Sequence, residues 1–176
     1  ENIKNNSLIR GFYNKFPYLS HTVENTESKF FYWPCSFDMV QSYCGIYPNN
    51  SFSNRKSPRI LEAGCGSGFY TNQIAHLNPG ADILAVDISR KSLDLAEERL
   101  KISGAFQKSE IKFKNIDIQD LDLKNEFDYI YSAGMLPHVL SPSKIIVKFN
   151  SLMKEQSILY LEAYSELGRF YSQCIQ

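Results

Sequence analysis

The chain has 176 residues, 43% of them hydrophobic, with 19 basic and 19 acidic residues and a formal net charge of zero. That length suits one domain with a single core, and the balanced charge, without a basic stripe, argues against nucleic acid held through its phosphates. No apolar run is long enough for a transmembrane helix, and the first residues are polar, unlike a signal peptide; a cytoplasmic location is expected. The cysteines, Cys35, Cys44, Cys65 and Cys174, form no C-x-x-C pair, so neither a zinc site nor a disulfide framework is expected. The first residue is Glu1 rather than Met, which reads as processing, trimming or excision from a longer protein.

Leu8, Ile9, Phe12, Tyr13 and Phe16 recur at helical spacing, and Pro17 ends that run. Aromatic residues crowd the stretch from Phe12 to Trp33, a second helix is expected over Phe37 to Ile46, and the polar stretch Asn49 to Pro58 reads as a linker. The division expected is a helical, aromatic extension over 1–57 and an α/β unit over 58–176. From Pro58 onward the alternation is regular. A strand over Ile60 to Ala63 leads to a helix with Tyr70, Ile74 and Leu77 on one face, stopped by Asn78-Pro79-Gly80. A second strand, Ile83 to Val86, ends at Asp87; Ser89 is a candidate N-cap for a helix lined by Leu93, Ala96 and Leu100. Strands are expected over Ile111 to Ile116, Tyr129 to Ser132 and Ile158 to Ala163. Ser141-Pro142 opens the helix between the last two of these, and Ser165 caps a final one.

Strands alternating with helices imply an α/β fold with a mostly parallel, doubly wound sheet. Such sheets bind ligands beyond the carboxyl ends of their strands, at the topological switch point. The glycine turn, Asp87, Asp117 and the Ser132 to His138 segment all fall there. The turn is the most informative of these. Arg59-Ile60-Leu61-Glu62-Ala63 feeds Gly64-Cys65-Gly66-Ser67-Gly68, an apolar strand ending in glycines at alternate positions. Glycine lets backbone approach a ligand where a side chain would collide, and Gly66 and Gly68 are the two best placed to do so. The dinucleotide fingerprint spaces its glycines as G-x-G-x-x-G, but position 69 is Phe. The third glycine comes one residue early, which moves the reading from nicotinamide cofactors towards another adenosine ligand.

These features together resemble the class I S-adenosylmethionine-dependent methyltransferases. The family's first motif matches Ile60 to Gly68, its second the acid Asp87 closing the second strand, its third Asp117 after the third strand, and its fourth Phe127-Asp128-Tyr129-Ile130. The resemblance covers Pro58 to Gln176 and implies S-adenosylmethionine as cofactor. It implies cofactor contacts for Glu62, Gly64, Cys65, Gly66 and Gly68 around the methionyl end, and for Asp87 and Ile88 at the ribose. Asp117 and the Ile118 amide would meet the adenine, and Ser132 and Ala133 would border the methionyl group. His138, in Gly134-Met135-Leu136-Pro137-His138, keeps the second His of a common Leu-His-His stretch and is the candidate catalytic base; Pro137 replaces the first.

Each residue also has a plainer reading. Glu62 could support the turn, Asp87 could cap the Ser89 helix, and Asp120 or Asp122 could replace Asp117. Asp128 is expected to be structural, and the N-terminal aromatics fit either a substrate lid or core packing. Ser132-Ala133-Gly134-Met135 lacks the Asn-Pro-Pro-Tyr of the amino-methylating nucleic-acid enzymes, so a small molecule or a protein is the expected acceptor. The family fold has seven strands, whereas five are expected here, so roughly 50 residues would follow Gln176 in a complete domain. The competing readings are a nicotinamide-dependent oxidoreductase and a non-catalytic module of the same fold.

Overall fold

A computed structural model describes residues 2–17, 32–45 and 57–164. Five strands, β1 (Arg59–Ala63), β2 (Asp82–Asp87), β3 (Glu110–Asn115), β4 (Phe127–Ala133) and β5 (Met153–Glu162), form one sheet of order β3-β2-β1-β4-β5. Every pairing is parallel. The chain steps outward from β1 to β3, then returns to lay β4 on the other side of β1. The switch point therefore lies between β1 and β4, at the glycine turn.

Helices cover both faces. α3 (Phe69–Leu77) and α4 (Arg90–Ser103) lie on one face, where Ile74, Ala75 and Leu100 pack against Ile60, Ile83, Tyr129 and Ile158. α5 (Pro142–Leu152) covers the other, where Ile145, Phe149 and Leu152 meet Leu61, Val86, Phe127 and Ile130. β1 and β4 are buried nearly throughout, as expected of central strands covered on both faces. β3 exposes Glu110, Lys112 and Lys114, the charged treatment of an edge.

Local chemistry explains the element ends. Ser89 caps α4 by accepting the Ser92 N–H at 3.2 Å, and Gly104 closes it in the left-handed region at φ 73°. Pro142 occupies the first turn of α5 as expected, but Ser141 caps it without a side-chain hydrogen bond, through its carbonyl alone. β5 starts earlier than the apolar pattern indicated, directly after α5. An irregularity carries its register from Phe127↔Met153 to Tyr129↔Ile158, with Gln156 at φ 56°; the polar residues 154–157 hid that first half from a pattern reading. The helix expected from Ser165 lies outside the described residues, as does most of the linker 49–58.

The N-terminal extension divides into two roles. Residues 32–45, including α2 (Phe37–Gly45), pack into the core: Asn78 accepts the Phe37 N–H at 2.7 Å and donates to the Cys35 carbonyl at 2.7 Å, and Tyr129 donates to the Pro34 carbonyl at 2.6 Å. α1 (Asn2–Lys15) instead lies over the carboxyl end of the sheet against α4, where Ser89 donates to Asn14 Oδ1 at 2.8 Å. Asp128 sits at the opposite end of the sheet, 2% exposed, accepting the Arg59 N–H at 2.8 Å and the Lys154 ammonium at 3.0 Å; it ties β1 and β5 to β4. Among the described residues no helix is long and apolar enough to cross a membrane.

Candidate active site

A cleft opens over the carboxyl ends of β1, β2 and β4, with about 920 Å³ of empty space measured out to its mouth. Gly64 and Gly66 form its floor, Asp87, Ile88 and Ser92 one wall, Asp117, Ile118 and Gln119 a second, and Ala133, Gly134, Met135 and His138 a third. Ile9 and Tyr13 of α1 close it from above. Eight sequence-expected residues thus meet in one place: Gly64, Gly66, Asp87, Ile88, Asp117, Ile118, Ala133 and His138. Glu62, Cys65, Gly68 and Ser132 do not line the cleft.

The glycine turn is held by backbone bonds to β2. Gly64 and Cys65 both donate to the Val86 carbonyl, at 2.9 and 3.0 Å, and Gly66 donates to Asp87 Oδ2 at 2.9 Å. All three glycines have positive φ. Their surroundings differ, and Gly68, expected with Gly66 at the ligand, is packed against α4. A Cβ on Gly64 would meet Met135 Cβ at 2.8 Å, so Gly64 makes room for a cleft residue. A Cβ on Gly68 would meet Ala96 Cβ at 2.7 Å and Cα at 2.8 Å. Gly68 therefore permits close packing of the turn on α4, and Gly66 with Gly64 presents backbone to the cleft. Arg99, 1% exposed, braces the turn from below by donating to the Ser67 carbonyl at 2.9 Å. Cys65 turns its thiol into the core against Ala85 and Leu93; only its backbone belongs to the turn.

Asp87 lines the cleft and braces the start of α4. Its Oδ1 accepts the Ser89 N–H at 2.8 Å while Oδ2 accepts Gly66, so one carboxylate joins the glycine turn to the start of α4. Each oxygen retains a lone pair for a ligand hydroxyl. Burial pushes its pKa up from the usual carboxylate range, against the N–H groups of Ser89, Gly66 and Ile88, which favour the charge. Asp117 Oδ1 accepts the Gln119 N–H at 2.9 Å and caps the single 3-10 turn Ile118–Asp120; that turn sets its carboxylate and the Ile118 backbone side by side in the wall. Asp120 and Asp122 are exposed and do not line the cleft.

Glu62 lies beneath the turn, 2% exposed, with an Oε2 that accepts no hydrogen bond. Burial pushes its pKa up to about 8, opposed by the Thr71 hydroxyl and reinforced by the charge of Asp87. Ser132 is fully buried, and its hydroxyl has no hydrogen-bond partner. Buried groups left in this state usually answer to a ligand or water. His138 is exposed at the mouth. Its ring meets Tyr13 and Tyr164 edge-on, both at 6.0 Å between centroids, in a 3-10 turn closed by its own N–H to the Met135 carbonyl at 2.9 Å. The sequence reading missed Met135 and Gln119 as cleft residues and left the N-terminal aromatics between a lid and core packing. The apolar spacing of Ile9 and Tyr13 was visible, but its destination was not.

A parallel sheet of this order, wound on both faces with a glycine turn over its switch point, is the architecture of the Rossmann-like methyltransferases. The chain belongs to the methyltransferase domain family, whose model matches residues 54–174. It is 32% identical over 163 residues to an uncharacterized protein of Synechococcus, covering 92% of this chain and 37% of that protein. It is 28% identical over 113 residues to the malonyl-[acyl-carrier protein] O-methyltransferase of Bacillus cytotoxicus, covering 64% and 38%. The chain thus spans well under half the length of these two relatives. Among solved structures, phosphoethanolamine N-methyltransferase 2 of Haemonchus contortus in complex with S-adenosyl-L-methionine superposes with a TM-score of 0.60 at 19% identity, over 94% of this chain and 39% of that one.

Proposed function

We propose that the chain carries the cofactor-binding part of an S-adenosylmethionine-dependent methyltransferase acting on a small molecule or a protein. The observation that carries this reading is the convergence of Gly64 and Gly66, Asp87, and Asp117 with Ile118 on one cleft at the switch point. Asp87 would accept the ribose hydroxyls, Asp117 the adenine amino group, and the Ile118 N–H would donate to a ring nitrogen. The backbone of Ala133, with Ser132 behind it, would border the methionyl group, whose ammonium would lie towards Glu62. When bound, the cofactor supplies a methyl group on a cationic sulfur with a good leaving group. The protein's share is to align the acceptor and exclude water.

α1 serves as a lid over the adenosyl half, on this reading, and residues 32–45 as part of the α/β unit. His138 at the mouth takes the acceptor's proton where the nucleophile arrives protonated. The acyl-carrier protein acceptor of the Bacillus relative and the ubiquinone biosynthesis O-methyltransferase of Methylococcus capsulatus, 29% identical over 126 residues, support either acceptor class.

Calorimetric titration of the full chain with S-adenosylhomocysteine and with NAD tests the reading. Saturable binding of the first and none of the second is expected. Micromolar NAD binding without binding of S-adenosylhomocysteine would transfer the site to the oxidoreductases.

A further inference from the structure

Beside the cleft, at the carboxyl end of β5, lies a second group of side chains that the cofactor reading does not use; the rings of Tyr32 and Tyr160 rest on the core and their hydroxyls turn to Glu162. Glu162 pairs in register with Ala133, and its carbonyl accepts the Gly134 N–H at 3.2 Å, so it directly adjoins the wall expected to border the methionyl group. Its carboxylate is half-buried. Oε2 lies 3.3 Å from the Tyr32 hydroxyl and 3.4 Å from the Tyr160 hydroxyl; those hydroxyls are 2.7 Å apart and hold one of their two protons between them, which leaves the other for Oε2. No cation among the described residues forms an ion pair with it.

The two tyrosines whose hydroxyls meet this carboxylate belong to a cluster of aromatic rings. Tyr160 stacks on Tyr131 at 5.1 Å and meets Trp33 edge-on at 6.4 Å; Tyr32 lies 5.6 Å from Tyr70. Trp33 remains 39% exposed, so the group is open on one side. Burial, then the neighbouring tyrosine and Glu162, push the Tyr32 hydroxyl's pKa well above the phenol range, and burial raises that of Tyr160; both tyrosines therefore stay neutral.

A carboxylate beside a cleft and without an ion pair attracts a cation. Ring faces attract cations through their quadrupole, most strongly where water is excluded. The tyrosine pair has one proton left for this carboxylate and brings no charge, so what Glu162 still lacks is a cation. We propose that Glu162, with Tyr32, Tyr160 and Trp33, is the acceptor subsite of this domain and that it takes a substrate bearing a protonated amine. This rests on the methyltransferase reading of the adjoining cleft.

The test uses the full chain saturated with S-adenosylhomocysteine, titrated with benzylammonium, benzyl alcohol and benzoate while ring and amide resonances are followed by NMR. Benzylammonium should bind saturably and shift the Trp33 indole resonance, with the alcohol and the acid at least tenfold weaker. Glu162→Gln should weaken benzylammonium by about tenfold or more, the loss of one charge-assisted contact, and leave S-adenosylhomocysteine affinity within about twofold. Equal binding of the three probes, or an unchanged affinity in Glu162→Gln, overturns the proposal, as does an ion pair between Glu162 and a cation of the chain itself in an experimental structure. Failure of S-adenosylhomocysteine to bind would instead overturn the cofactor reading, so the two failures are distinguishable.

Discussion

Asp87 offers the sharpest test because the structure separates its two roles energetically. Its oxygens accept two backbone N–H groups at 2.8 and 2.9 Å, yet burial still raises its pKa. The hydrogen bonds therefore do not recover the full cost of burying the charge, and the free protein gains little from an ionised group at this position. Asp87→Asn keeps one acceptor oxygen and loses one hydrogen bond, so its stability cost should be about 1 kcal/mol, or 2–4 °C in Tm for a domain of this size. Asp87→Ala loses both bonds and should cost about 2–3 kcal/mol. Cofactor affinity should respond differently. Replacing a carboxylate that accepts ligand hydroxyls removes about 1.5–3 kcal/mol, roughly 10- to 150-fold in Kd, in both variants. Thermal unfolding and calorimetry with S-adenosylhomocysteine measure the two quantities on the same samples. An Asn variant that binds as the parent does, or whose affinity loss merely tracks its stability loss, would refute the reasoning and leave Asp87 as a brace of the turn.

Glu62 predicts a pH dependence. With its pKa raised to about 8 from 4.5, the stability it contributes is full below about pH 4.5 and is lost as pH rises through about 8; Glu62→Gln should flatten the fall in Tm between about pH 5 and 9. If the methionyl ammonium ionises Glu62, S-adenosylmethionine binding near pH 7 should release close to one proton, read from calorimetry in two buffers of different ionisation enthalpy, and Glu62→Gln should release none. Gly68→Ala should cost about 2–5 kcal/mol, from left-handed strain and the collision with Ala96. Gly134→Ala, at φ 70° with nothing within 4 Å, should cost only the strain, about 1–2 kcal/mol; equal losses of Tm would dismiss the packing role of Gly68. His138→Phe retains the ring contacts and removes the proton acceptor, so turnover should fall about 100-fold or more with S-adenosylhomocysteine affinity kept within about twofold.

Periodicity and end signals in the sequence determined the order of strands and helices, the parallel sheet and the glycine turn. These are local properties, set by which residues suit a buried strand, a cap or a positive φ, and they survive without knowledge of neighbours. The structure decided what depends on distant residues meeting. Gly68 and Cys65 belong to the same pentapeptide as Gly66, yet one faces Ala96 and the other Ala85 and Leu93, because α4 passes beneath the turn. Asp117, and not Asp120 or Asp122, lines the cleft because a single 3-10 turn sets it in the wall. β5 began earlier than its apolar pattern because tertiary pairing with β4 tolerates polar residues around an irregularity. The N-terminal extension split between cleft and core for the same reason: Ile9 and Tyr13 meet the cleft, while Phe37 meets Asn78 and Tyr129. Glu162 and Tyr32, 130 positions apart, share a site only because the sheet brings the end of β5 beside the start of α2's segment. Sequence spacing fixes which backbone shapes are affordable; the encounter of side chains from separate elements is a property of the packed fold alone.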